Sequence, residues 1–66
     1  MKITVNDKIK DVNSCKNVEE LVSSLFEKNE GIIVELNEKM IKRDQWKEQP
    51  LKEGDTLQLI QFIGGG

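Results

Sequence analysis

The sequence predicts an α+β domain in which a mixed sheet of about four to five strands packs on one main helix. Three observations carry this. Residues 2–12 alternate apolar and polar side chains across a turn signal, and residues 17–28 carry one apolar stripe at helical spacing. The stretches 32–36 and 56–62 are short, aliphatic and bounded by turn residues. With 66 residues there is room for one domain, and a chain of this size buries only about 60% of the surface its unfolded form exposes.

In order, Ile3 and Val5 alternate with Lys2 and Thr4, Asn6-Asp7 supplies a turn, and alternation resumes over Lys8-Ile9-Lys10-Asp11-Val12; this is an N-terminal hairpin. From Asn17 the period changes. Val18, Leu21, Val22, Leu25 and Phe26 fall on one helical face, with Asn17 as N-cap and Glu20 in the capping-box position. Lys28 lies near the negative end of the dipole, and residues 29–31 supply the stop. Ile32-Ile33-Val34-Glu35-Leu36 is too short and too β-branched for a second helix, so it reads as a strand buried through Ile32, Val34 and Leu36. Asn37-Glu38-Lys39 turns into a short Met40-Ile41 strand. Residues 42–54 read as irregular, with Trp46 and Leu51 as packing anchors and Pro50 forbidding a central strand. Gly54-Asp55 is a turn, and residues 56–62 form the last strand. A single amphipathic helix needs one sheet face to cover its stripe, and this order of elements is that of the β-grasp, or ubiquitin-like, architecture. The domain is predicted over residues 1–63, with a flexible glycine tail over residues 64–66.

Composition narrows the function. Ten basic against 12 acidic residues give a net charge of −2, the wrong sign for tracking a phosphate backbone, so no nucleic-acid partner is expected. The lone Cys15 cannot form an internal disulfide, and with no histidine the usual zinc ligand sets cannot be assembled. No stretch approaches the ~20 apolar residues that span a bilayer, nor is there a signal-peptide core. The expectation is a cytoplasmic protein, monomeric when free, with no membrane and no metal.

The last strand points to a surface as well as a core. Side chains alternate along a strand, so if Leu57 and Leu59 face the helix, Ile60 and Phe62 lie on the open side of the sheet beside the tail. An apolar pair there is either ordinary surface or the centre of a partner-docking face, and the glycine tail beside it favours the docking face. Gly64-Gly65-Gly66 adds nothing to a core. Either it is a frayed end, or the α-carboxylate of Gly66 is a reactant on a thread thin enough to enter another protein's narrow site. A carboxylate is a poor electrophile, so a partner must activate it, most simply as an acyl-adenylate made from ATP; a sulfur nucleophile can then displace AMP.

The sequence resembles the sulfur carrier family of thiamine biosynthesis, the ThiS family. The resemblance is densest in Val34-Glu35-Leu36-Asn37, in Lys42-Arg43-Asp44-Gln45-Trp46, in Leu51-Lys52-Glu53-Gly54-Asp55, and in Ile60-Gln61-Phe62-Ile63-Gly64-Gly65-Gly66. Lys42 stands where the family tends to have proline, and Asp44 where it tends to have serine. The resemblance implies that Gly66 is adenylated by an activating enzyme using ATP and converted to a thiocarboxylate, with sulfur from a persulfide donor, and that it serves thiazole synthase. It implies that Gly65 is the spacer that lets Gly66 reach, that Ile60 and Phe62 form part of the docking face, and that the chain is a co-substrate that binds no cofactor and supplies no catalytic group. Gly64 to Gly66 should be mobile in the free protein and ordered only in a partner's site.

Other readings compete. The same chemistry can serve molybdopterin, cysteine or tRNA thiolation; a ubiquitin-like modifier would form isopeptide bonds instead; a plain interaction module would not need Gly65 and Gly66. Cys15 precedes the predicted helix, where a thiol can be activated, yet a lone cysteine there is more often a partly buried filler. Trp46 lacks the basic stripe of a stacking platform and is better read as a packing anchor. Glu19-Glu20 and Glu53 with Asp55 are read as a capped helix and a solvated turn, not as acid–base machinery.

Overall fold

The computed structural model of the chain describes residues 1–28 and 30–62. The elements are β1 (Lys2–Val5), β2 (Lys8–Asp11), α1 (Val18–Leu25), β3 (Ile32–Leu36), β4 (Lys39–Ile41), a 3-10 helix (Arg43–Glu48) and β5 (Thr56–Gln61). Among the described residues the five strands form one mixed sheet in the order β2-β1-β5-β3-β4. The only parallel pair in that order is β1 with β5, at its centre; β1–β2, β3–β4 and β3–β5 are antiparallel. This is the β-grasp arrangement the sequence predicts. The predicted tail, Gly64 to Gly66, and its boundary at Ile63 lie outside the described residues.

Both hairpins close through two-residue turns, Asn6-Asp7 (φ 50° and 69°) and Asn37-Glu38 (φ 50° and 71°). Two consecutive positive φ values are the signature of a type I′ turn, whose twist matches that of the flanking strands. Asparagine tolerates this region; glutamate has no such preference, so Glu38 stores strain of about 1 kcal/mol.

The two turn asparagines also serve the central strand. β1 leaves β5 after pairing Val5 with Leu57. There the Asn6 side chain takes over as a short surrogate strand: its Oδ1 accepts the Leu59 N–H at 2.8 Å and its Nδ2 donates to the Leu59 carbonyl at 3.1 Å. At the other end Asn37 Oδ1 accepts the Thr56 N–H at 3.0 Å, and its Nδ2 donates to Asp55 Oδ1 at 3.0 Å. Backbone polar groups on the central strand that lack a neighbour are thereby satisfied.

Helix α1 begins as its residues dictate. Asn17 Oδ1 accepts the Glu20 N–H at 2.8 Å, and Glu20 Oε1 reaches back to the Lys16 N–H at 2.8 Å, one residue earlier than in the usual capping box. The helix is shorter than its apolar stripe suggests. It ends at Leu25, Phe26 is already extended (φ −130°, ψ 136°), and no basic residue lies in the last turn, so Lys28 is not the dipole partner the sequence suggests. Val18, Leu21 and Val22 pack against Ile3, Val5, Val34, Leu36, Leu57 and Leu59, while Trp46 and Leu51 complete the same core.

The stretch expected to be irregular contains order that periodicity does not signal. Trp46 sits within the 3-10 helix, buried, with Nε1 donating to the Ile41 carbonyl at 3.1 Å and the Arg43 guanidinium 5.8 Å from its ring centre. Beyond it, Pro50 forms an isolated antiparallel bridge with Asn17. The bridge needs no N–H from proline, because its bonds come from the flanking residues: Val18 N–H to Gln49 O at 3.0 Å and Leu51 N–H to Lys16 O at 3.2 Å. Asp55 is a correction. It is not solvated but 8% exposed, its Oδ2 accepting the Lys52 N–H at 2.7 Å and its Oδ1 the Asn37 amide. A carboxylate that knots a turn in this way must lie inside it. Its neighbour Glu53 likewise has a structural partner, accepting the Lys2 N–H at 2.9 Å.

Candidate functional site

The two faces of the sheet divide β5 as alternation requires. Leu57 and Leu59 are buried under α1, while Ile60 and Phe62 are 50% and 65% exposed on the open face. Both predicted surface residues therefore lie where the sequence places them, at the end of the strand that leads into the glycines. The antiparallel register sets Ile33 directly across from Ile60, and such a pair has its Cβ atoms about 5 Å apart. Ile33 thus joins Ile60 and Phe62 in one apolar strip on the open face. Its side is legible in the sequence: with Ile32, Val34 and Leu36 turned to the core, Ile33 must face out. Met40, 68% exposed on β4, lies across from Glu35 on the same face. Ile9, 75% exposed, lies on the opposite edge strand and across from Thr4.

The root of the tail is held from three sides. Asn6 grips Leu59 as described, Gln61 Nε2 makes a long bond of 3.4 Å to the Lys28 carbonyl, and the Phe62 N–H donates to the Gly31 carbonyl at 2.9 Å. Gly64, Gly65 and Gly66 fall outside the described residues.

Cys15 is half-buried and packs against the core, as a filler would. Among the described residues no group of three histidine, cysteine, aspartate or glutamate side chains is placed to hold a metal ion. Two depressions open to solvent, one lined by Glu35, Asn37, Glu38, Thr56 and Gln58, the other by Ser23, Phe26, Glu27, Lys28 and Glu30. Neither brings together a nucleophile, a base and an orienting group. No helix among the described residues is long and apolar enough to cross a membrane.

Comparison with known proteins bears on the whole length. The sequence model of the ThiS family matches residues 2–66. The sulfur carrier protein ThiS of Escherichia coli is 30% identical over 66 residues, covering all of both chains. A thiazole synthase of Paramagnetospirillum magneticum is 27% identical over the same 66 residues, which make up 20% of that protein. The crystal structure of the thiamine biosynthesis protein ThiS from Geobacter metallireducens superposes with a TM-score of 0.82 at 36% identity, over 100% of each chain.

Proposed function

This chain belongs to the ThiS family, the sulfur carrier proteins of thiamine biosynthesis, and from that premise we propose that the α-carboxylate of Gly66 is its working group. The carboxylate attacks the α-phosphorus of ATP in the site of an activating enzyme. A P–O bond forms, pyrophosphate leaves, and the chain carries an acyl-adenylate. The terminal sulfur of a persulfide donor then attacks the acyl carbon and AMP leaves; a thiol cleaves the resulting S–S bond, releasing the C-terminal thiocarboxylate and leaving a disulfide behind. The chain supplies a carrier and a docking face, not a catalyst.

The observation that carries this reading is the family match running through residue 66, so that the glycines fall inside the matched region. Physical chemistry makes them suitable. Gly65 and Gly66 let the thread pass a constriction that any Cβ would block. Ordering such a thread costs about 1–2 kcal/mol per residue, and an apolar strip of exposed Ile60 and Phe62 with half-buried Ile33 beside them supplies binding energy to offset that loss. A thiazole synthase that carries a segment similar to this chain favours thiazole synthase as the sulfur acceptor over molybdopterin, cysteine or tRNA pathways.

The test is the intact mass of the full chain after incubation with ATP, a persulfide source and the activating enzyme. One oxygen replaced by one sulfur, absent when Gly65 and Gly66 are deleted, is the expected result. An unchanged mass with demonstrably active enzyme would refute the assignment.

A further inference from the structure

Gly31 lies where β3 begins and β5 ends. The register that pairs Ile32 with Gln61 places Gly31 across from Phe62, at the root of the tail. A hydrogen-bonded antiparallel pair in this position ordinarily exchanges two bonds. Here only one is made, Phe62 N–H to Gly31 O at 2.9 Å, because Gly31 has turned to φ +70°. That turn brings the Phe62 carbonyl against the Gly31 Cα. A Cβ on Gly31 would stand 2.9 Å from the Phe62 carbonyl oxygen and 3.8 Å from its carbonyl carbon and nitrogen. The contact is with backbone, so no side-chain rotation can relieve it; the Phe62 peptide itself would have to move.

We propose that Gly31 is a positioning residue for the chemistry at Gly66. By carrying no side chain it lets the Phe62 peptide, just past β5, close on Gly31, just before β3, which fixes the point where the chain leaves the sheet relative to the apolar strip that docks. The inference rests on the reading of Gly66 as the activated group. From Phe62 to Gly66 there are four residues, about 14 Å at full extension. A thread drawn out in a narrow site has no slack, so a displaced root subtracts directly from its reach. Ile33 and Ile60, paired with each other further along the strands, do not touch Gly31's Cβ position, so most of the docking strip stays in place when the Phe62 peptide shifts.

The fold itself contains a control. Gly54 also has a positive φ, +86°, but nothing lies within 4 Å of where its Cβ would be. Asparagine tolerates the left-handed region at both positions, so Gly31→Asn and Gly54→Asn differ mainly in the collision with Phe62. The assay is steady-state adenylation of the full chain by the activating enzyme with ATP, measured as pyrophosphate release. Gly31→Asn lowers kcat by roughly tenfold to a hundredfold, with KM for the carrier within about twofold, whereas Gly54→Asn leaves both unchanged. A kcat for Gly31→Asn within about twofold of the parent, or a loss appearing in KM instead, overturns the proposal. Should Gly31→Asn fail to fold by circular dichroism, the parent chain still decides: its Phe62 amide is protected from hydrogen exchange, and an unprotected amide overturns the clamp. Absence of pyrophosphate release from the parent chain itself would sink the underlying carrier reading, an outcome separate from any difference between variants.

Discussion

Asn6→Ala tests the claim that a turn side chain serves as a strand. The substitution removes the Oδ1 that accepts the Leu59 N–H at 2.8 Å and the Nδ2 that donates to the Leu59 carbonyl at 3.1 Å, and it leaves alanine at φ 50°. Each neutral hydrogen bond is worth about 1 kcal/mol net, and the left-handed backbone costs alanine about 1 kcal/mol. The sum is roughly 3 kcal/mol, a large part of the ~3–10 kcal/mol that marginal stability allows a 66-residue domain. At about 4–8 °C per kcal/mol the melting midpoint falls by roughly 12–24 °C. The assay is urea unfolding followed by the fluorescence of Trp46, the sole tryptophan and a buried one. Asn6→Gly separates the two contributions, since glycine relieves the backbone and loses only the bonds, for roughly 2 kcal/mol. If Asn6→Ala costs under about 0.5 kcal/mol, the surrogate-strand account is wrong. If glycine and alanine cost the same, the backbone contribution is wrong.

The other predictions are briefer. Glu38→Gly creates an Asn-Gly type I′ turn at φ 71° and stabilises the fold by about 0.5–1 kcal/mol in the same urea experiment; a loss of stability would contradict the turn assignment. Asp55→Ala strands the Lys52 N–H and the Asn37 amide in a partly buried turn and costs roughly 2–3 kcal/mol, whereas an effect under about 0.5 kcal/mol would return Asp55 to the solvated role that composition suggests. Ile60→Asp and Phe62→Asp, on the exposed face, each raise the KM of the carrier for its activating enzyme about tenfold and leave unfolding within about 1 kcal/mol of the parent; an unchanged KM for both would remove the docking strip.

Legibility varied with the range of the interactions involved. The hairpin, the apolar stripe of α1, the split of β5 into buried Leu57 and Leu59 and exposed Ile60 and Phe62, and the burial of Trp46 were readable because each depends on spacing within a few residues. Asn17 and Glu20 announced the helix start for the same reason. The C-terminal end of α1 was less clear, since Leu25 and Phe26 continue the apolar period after the backbone has left it. Residues 43–48 have no helical stripe to read, because a short 3-10 segment buries one side chain, Trp46, and leaves the rest to solvent.

The alternation of residues, the cap and the closing glycines were enough by themselves to establish a β-grasp order and to direct attention to the end of β5. Local periodicity acts within one element, and these features need nothing more. Only the tertiary structure decided that Asn6 completes β5, that Asn37 and Asp55 knot its beginning, that Ile33 joins Ile60, and that Gly31 must lack a side chain beneath Phe62. Each of these depends on a register between strands distant in sequence. Such a register is chosen by the packing of the whole core, so no window of neighbouring residues contains it.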